Sequence, residues 1–307
     1  MQSPTVQVRG EPEPASVVGW SASLDEPSFS DRRRRLPAQP VPPSYVHTLH
    51  PGERFLFDVF LAGNPTGLAE AGVTEYRPDP RGGPPKGSGT YTITGRAVTS
   101  GVISLLASME DRIITTVDSS TGAVTRTVNI LERSGIGASK LKRRVTETDF
   151  EGRGHIRIVD DRDGKTTQVV RDVPRNTFDA MSAMAWVRSL NLAPGELATA
   201  HVLDGRVLMR VDVVGRGLAK LDPMPSVAHG LGVKPGDVTL LEGTLARVDR
   251  WGVVREDKRK FSFRAYVTND DRRLLLAIET DMWLGVLRLV LNRYDPPHTQ
   301  EPAAPTP

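Results

Sequence analysis

The chain has 307 residues, of which 38% are hydrophobic and 25% are charged, and its formal net charge is +3. This composition predicts a soluble protein with a substantial core, since no stretch approaches the roughly 18 consecutive apolar residues of a membrane span. The absence of cysteine excludes disulfides, thiolate metal sites and a cysteine nucleophile.

The two ends of the chain are predicted to be disordered. Residues 1–44 are rich in Pro, Ser, Glu and Arg, and they contain too few apolar side chains to offset the entropy of ordering. The four arginines at 32–35 favour a solvated charge cluster over a contact with phosphate, nucleic acid or an acidic membrane. The Pro-rich tail 296–307 is similar. Met1 is followed by polar residues, so no export signal is visible in this sequence.

Between these ends, residues 45–295 are predicted to form a single β-rich domain. Apolar and polar residues alternate with a period of two, which is typical of strands that bury one face. Turn-forming residues at 119–122, at 161–164 and at Asp204-Gly205 interrupt the alternation, and each predicts a hairpin.

One segment, 177–190, is predicted to be a helix. Pro174 precedes it, Asn176 is the candidate N-cap, and Pro194-Gly195 stop it. Its apolar residues cover most of the circumference, whereas a helix on a flat sheet would bury a single stripe. We therefore expect a mainly β fold, with a curved antiparallel sheet or half-barrel wrapped around one central helix.

Residues 216–237 are rich in proline and glycine and are predicted to form an insertion loop without secondary structure. Long loops of this kind are often functional or mobile, so the segment could act as a lid. The favoured interpretation is a surface insertion without a role.

The sequence contains no recognisable catalytic or cofactor-binding constellation. There is no Gly-x-Ser-x-Gly elbow, Ser182 lies in mid-helix, and no glycine-rich phosphate cradle is present. The six histidines lack the helical pairing of a zinc enzyme. Basic runs such as 258–260 are interpreted as solvated strand faces. We therefore expect no enzymatic activity, no metal, no cofactor and no nucleic-acid partner.

The apolar interior is the remaining candidate for a binding site. If the sheet does not close completely on the helix, the gap would be an apolar groove suited to an acyl chain or another lipid-like ligand. A simply packed core is the favoured alternative. The candidate groove residues lie on the helix and on the facing strands, and they are Phe178, Met181, Met184, Trp186, Phe55, Phe57, Trp251 and Trp283.

Several motifs together resemble the domain of unknown function family 3108 (DUF3108): residues 52–59, 63–67, 178–188 after a proline, 192–196 and 283–289. The resemblance implies an exported bacterial protein, periplasmic or associated with the outer membrane, with a β-rich fold comparable to half-barrel lipoprotein carriers. Asp179, Ser182 and Arg188 match the helix motif of the family. Helical geometry places Arg188 nearly opposite the other two, so bonds to neighbouring strands are expected for them.

Two functions follow as hypotheses. The first is a non-enzymatic cell-envelope protein that binds a lipid-like ligand, or an envelope protein partner, in the groove between sheet and helix. The alternative is a structural or protein-interaction module that docks partners through the Pro-rich arm and the 216–237 loop. Neither hypothesis includes a membrane-spanning segment.

Overall fold

The computed structural model describes residues 45–79, 89–100, 104, 107–135, 141–151, 154–249, 252–282 and 285–297. The predicted arm 1–44, its arginine run and the tail from 298 onwards lie outside these residues. Trp251 and Trp283, two of the candidate groove residues, also lie outside them.

Fourteen strands of the described chain form one antiparallel sheet. Strands that follow one another in sequence are neighbours, except β8 and β9, which lie at the two ends of the strand order, and β1 pairs with β14 in the middle of the sheet. The strands are β1 (Arg54–Leu61), β2 (Asn64–Pro78), β3 (Gly89–Thr99), β4 (Ala107–Asp118), β5 (Val124–Gly135), β6 (Lys142–Phe150), β7 (His155–Arg162), β8 (Lys165–Asp172), β9 (Leu197–Asp204), β10 (Val207–Leu218), β11 (Val238–Arg247), β12 (Phe261–Thr268), β13 (Leu275–Met282) and β14 (Gly285–Asp295).

Two α-helices accompany the sheet in the described residues: α1 (Ala180–Ser189), between β8 and β9, and α2 (Ser226–Gly230), between β10 and β11. A short 3-10 helix, Val46–Thr48, precedes β1. Neither α-helix has the length and apolar character that crossing a membrane requires.

The predicted hairpins are confirmed, although two of their turns are displaced. Strands β7 and β8 pair as far as Arg162 and Lys165, so their turn consists of Asp163 and Gly164 alone. Both residues have positive φ, as a tight two-residue hairpin turn requires. In the β9–β10 hairpin Asp204 is paired with Val207, so the turn is Gly205-Arg206 and not Asp204-Gly205.

The sheet is strongly curved. Helix α1 contacts β3, β4 and β9, and β9 lies at one end of the strand order, far from β3 and β4. A flat sheet could not bring such distant strands to one helix, because neighbouring strands are separated by about 4.8 Å. The structure thus confirms a mainly β fold with a curved antiparallel sheet around a helix.

The two ends of the strand order also pack on each other, face to face. Val202 of β9 belongs to the main core around α1, whereas the next residue, Leu203, packs in a second apolar cluster with Ile156 and Ile158 of β7. Because successive side chains of a strand point to opposite faces, β9 is covered by the helix on one side and by β7 on the other. Strand β7, the neighbour of the edge strand β8, therefore packs over the edge strand β9, and the described residues of β8 and β9 are not paired with each other.

Helix α1 is shorter than predicted, and Asn176 is not its N-cap. Asn176 adopts a left-handed turn conformation with φ of 58°, and Asp179 caps the helix. The intervening Phe178 is extended because its backbone pairs with β9: its amide donates to the carbonyl of His201, and its carbonyl accepts from the amide of Leu203. The helix can begin only after this pairing ends.

The segment 216–237 is more ordered than the predicted insertion loop. Strand β10 continues to Leu218, and helix α2 occupies the middle of the segment. Leu221, Ala228 and Val233 are buried in the main core. These side chains anchor the segment to the molecule.

Candidate functional site

The N-terminal end of α1 is fixed by a buried polar cluster. The Asp179 carboxylate accepts hydrogen bonds from the Ser182 amide (3.0 Å), the Ser182 hydroxyl (2.6 Å) and the hydroxyl of Thr115 in β4. The Ser182 hydroxyl in turn accepts from the Asp179 amide, which completes a capping box. Burial and the nearby Asp179 charge raise the pKa of Tyr45, which packs beside this cluster. Asp179 and Ser182 thus hold the helix start against β4.

The C-terminal end of α1 is fixed by a buried ion pair. The Arg188 guanidinium donates two bonds to the Glu53 carboxylate, at 2.6 and 2.7 Å, and further bonds to the carbonyls of Arg272 and Arg273. Tyr294 donates its hydroxyl proton to Glu53 at 2.9 Å. Arg188 and Glu53 are 7% and 1% exposed, so both charges depend on these partners. Their contacts position the helix.

These two anchors show that α1 lies across the strands. Thr115 pairs with Ile93 of β3, Ile93 pairs with Val73 of β2, and the Val73 amide donates to the carbonyl of Glu53, just before β1. Three strand spacings span about 14 Å. The nine residues from Asp179 to Arg188 rise about 13.5 Å along a helix. The helix therefore covers one end of β1–β4 and does not extend over the rest of their inner face.

The inward side chains of the sheet become more exposed with increasing distance from α1. Phe57 of β1 and its partner Leu291 of β14 are buried, at 2% and 1% exposure. Most inward residues of the next two rows are apolar and half-buried. The exceptions are Ala265, which is fully buried, and the polar Thr280, which lies between Leu287 and Phe263. We call this surface the inner apolar patch, and it consists of Val59, Leu61, Phe263, Ile278, Leu287 and Leu289.

Small residues border the inner apolar patch. Gly67 of β2 pairs with Val59, and beyond Phe57 lie Ala69 of β2 and its partner Ala97 of β3. Gly243 of β11 pairs with Phe263 on the other side. A Cβ atom at Gly67 would clash with the carbonyl oxygen of Val98, and one at Gly243 would clash with the Phe263 ring, so both positions require glycine.

The candidate groove residues that the structure describes lie mostly in the packed core. Phe178, Met181 and Trp186 of the helix are buried, as are Phe55 and Phe57, whereas Met184 is half-buried. The Phe178 ring packs against Tyr45 and Trp186, with centroids 5.3 and 5.8 Å apart. The accessible apolar surface lies further along the strands, where strand length exceeds helix width. The signal for the patch in the sequence is the length of the strands, which exceeds the width of a single helix.

Two titratable side chains at least half-buried in the fold have shifted pKa values. Burial, with the nearby charge of Asp204, raises the pKa of Asp111 in β4 to about 6, against the effect of a hydrogen bond from Asn129. Burial, and to a smaller extent the positive charge of Arg210, lowers the pKa of His201 in β9 to about 4. In the described ranges no three His, Asp or Glu side chains are grouped so that they could hold a metal ion.

An open, rolled antiparallel sheet with a helix fixed across one end defines a β-rich protein of barrel-like architecture. The chain belongs to the family described as protein of unknown function (DUF3108), whose sequence profile matches residues 85–292. Its fold is similar to the crystal structure of a beta-barrel-like protein of domain of unknown function DUF1849 from Brucella abortus, with 12% identity and a TM-score of 0.49 over 82% of this chain and 99% of that chain. No curated protein matches the sequence.

Proposed function

We propose that the protein is a non-enzymatic binding protein of the bacterial cell envelope that holds a small apolar ligand, such as an acyl chain, on the inner apolar patch. The main support for this proposal is the set of inward, half-buried apolar residues on β1, β14 and β13 that continues past the helix. Water-exposed apolar surface on a concave face is the usual setting of a ligand site. The envelope location rests on the family resemblance.

The dimensions of the patch favour a small ligand over a protein partner. The patch crosses four neighbouring strands, β1, β14, β13 and β12, and two rows of inward residues. This corresponds to about 14 Å by about 7 Å, or on the order of 100 Å². A stable protein–protein interface buries about 800 Å² on each partner. An extended alkyl chain fits this area, whereas a folded partner does not.

The hydrogen bonding of the polar helix residues supports a binding role over a catalytic one. Asp179 and Ser182 bond to each other and to Thr115, and Arg188 is bonded to Glu53 and to main-chain carbonyls. A nucleophile or general base needs a free lone pair facing a substrate. These side chains use their bonding capacity to hold the helix.

Adjacent residues of β14 provide the test. Leu287 points to the inner face, whereas Val286 points outward and is 37% exposed. We expect the Leu287→Gln variant to bind an apolar fluorescent probe, 1-N-phenylnaphthylamine, roughly tenfold more weakly, because a buried leucine contributes about 1.5–3 kcal/mol. Val286→Gln is the matched control and should bind the probe like the parent. Probe fluorescence titration gives both affinities.

The proposal is overturned if the parent does not bind the probe, or if both variants lose affinity equally. Native mass spectrometry of the purified full chain should reveal a co-purifying acyl-containing species in the parent and less of it in Leu287→Gln. If deletion of residues 1–44 removes protein partners from pull-downs and probe binding is absent, the alternative of an interaction module gains support.

A further inference from the structure

Three arginines meet where the β7–β8 hairpin crosses over the β9–β10 hairpin. Arg171 lies in β8, Arg206 in the β9–β10 turn and Arg247 at the end of β11. We call these three residues the arginine seam. It lies beside the second apolar cluster, which contains residues of β7, β9 and β10 together with Val173 after β8 and Val248 after β11.

Backbone geometry places the arginine seam without reference to charge. Arg171 pairs across strands with Ile156, a member of the second cluster. Arg247 precedes Val248, whose amide donates to the carbonyl of Leu208 at 3.0 Å, and both are in the same cluster. Arg206 stands two residues before Leu208. Arg171 and Arg206 are therefore both placed at the second cluster, and Arg247 lies near enough for its charge to act on Arg171.

Several donors of the arginine seam are buried and have no hydrogen-bond partner. These are Nε and Nη2 of Arg171 and Nε of Arg206. Buried polar groups in native proteins are nearly always hydrogen-bonded, and an unpaired charged donor is among the most unfavourable groups to bury. Burial, with the positive charges of Arg206 and Arg247, lowers the pKa of Arg171 to about 10. The seam is thus an excess of positive charge with open donors.

The carboxylate that Arg206 approaches, Asp160, is already engaged. Asp160 of β7 is 1% exposed and accepts bonds from Arg144 (2.7 and 3.2 Å), Arg162 (3.0 Å) and Thr146 (3.1 Å). Arg206 approaches it only to 4.0 Å. One carboxylate cannot satisfy these residues and the open donors of the seam as well.

We propose that the arginine seam binds an oxyanion of the phosphate class. Guanidinium groups present planar pairs of donors that match phosphate oxygens, and the bonds are charge-assisted. At least three open donors on two arginines suit a tetrahedral oxyanion better than the two oxygens of a carboxylate. The Arg206 side chain is 21% exposed, so the seam reaches the surface and an anion can enter. This site is separate from the inner apolar patch.

Inorganic phosphate is the probe for the test, with acetate as the carboxylate arm and dihexanoyl phosphatidylglycerol as the lipid-headgroup arm. At constant ionic strength, phosphate should raise the thermal unfolding midpoint of the full chain and give a saturable calorimetric titration. Arg171→Gln should weaken phosphate binding roughly tenfold or more, as expected for loss of a charge-assisted bidentate contact. Without phosphate, the same variant should unfold at a higher temperature than the parent, because an unpaired buried charge is removed. A purely structural arginine would show the reverse.

The control is Arg133→Gln, which removes an exposed arginine of β5 and should leave phosphate binding unchanged. Arg206→Gln is the second variant if Arg171→Gln does not fold, and line broadening of the phosphate ³¹P signal tests the parent alone.

Stabilisation by the phospholipid but not by phosphate would assign the site to a headgroup. The proposal fails if no phosphate-class ligand stabilises the parent, if acetate acts equally well, or if Arg171→Gln and Arg206→Gln respond to phosphate like the parent. Probe binding at the inner apolar patch should be unaffected, which separates this proposal from the first.

Discussion

Asp111, which is half-buried, and His201, which is buried, are titratable side chains whose pKa values shift in opposite directions. Burial and the Asp204 charge raise the pKa of Asp111 from 3.8 to about 6. The folded state therefore binds a proton more tightly than the unfolded state, and this stabilisation is lost as pH rises from about 4 to about 6. Burial lowers the pKa of His201 from 6.5 to about 4, so its contribution is lost as pH falls through that window. The two effects oppose each other.

We predict that replacing either residue reveals the pH dependence of stability that the other residue causes. The Asp111→Asn variant should become more stable with rising pH, since His201 still titrates. His201→Leu should become less stable over the same range. Each curve should depart from the parent by about 2–3 kcal/mol, as a pKa shift of about two units implies. Urea unfolding across the window measures the difference, and curves parallel to the parent would contradict it.

The capping residue shows how local and tertiary signals compete. Asn176-x-x-Asp179 and Asp179-x-x-Ser182 both fit an N-cap pattern in sequence. Pairing of Phe178 with β9 keeps the backbone extended up to Asp179, and Thr115 supplies a hydrogen-bond donor to Asp179 there. The nonlocal strand selects the second pattern.

At the scale of elements, helix α1 is stable in its place because both of its ends are tied to the sheet. The Arg188–Glu53 pair joins residues 135 positions apart and is shielded from water. Breaking a buried pair by neutralising one partner typically costs 3–5 kcal/mol, whereas an exposed pair contributes about 0–1 kcal/mol.

We predict that Glu53→Gln destabilises the protein by about 3 kcal/mol and loosens the helix from the β12–β13 turn. Glu70→Gln is the matched control, because Glu70 pairs with Arg54 at the surface, where the two side chains are 35% and 46% exposed. That variant should unfold within about 1 kcal/mol of the parent. Chemical denaturation compares them, and equal losses would show that the buried pair does not fix the helix.

At the scale of the whole molecule, the rolled sheet is held by the second apolar cluster. Ile156 and Ile158, both 1% exposed, pack β7 against Leu203 and Leu208 of the hairpin beneath. No hydrogen bond between the described residues of β8 and β9 closes the sheet. The overlap of the two layers thus depends on apolar contact and on the ion pairs around Asp160.

We predict that Ile158→Ala frees the β6–β8 layer while the main core stays folded. Truncation of a buried isoleucine costs about 2–5 kcal/mol, and the loss is confined to contacts of the second cluster. Hydrogen exchange should accelerate in β6–β8 and remain slow in β1 and β14. Val170→Ala, at a position 54% exposed, should change neither rate. Uniform acceleration over all strands would instead indicate a single cooperative unit.

The sequence by itself determined the alternating strands, the hairpin pairs and the apolar circumference of the helix, because each is set by residues close together in the chain. From that circumference a curved sheet followed, since apolar surface must be covered on all sides. The family could also be recognised from local motifs.

Only the tertiary structure decided which apolar residues remain accessible. Phe55 and Trp186 look no different in sequence from Leu287 and Leu289, yet the first two are buried and the others lie half-open beyond the helix. Their exposure depends on where α1 crosses the strands, and that is set by Glu53 and Thr115, far away in sequence. The arginine seam depends likewise on the overlap of two hairpins. Burial is a property of the assembled layers, and no local pattern encodes it.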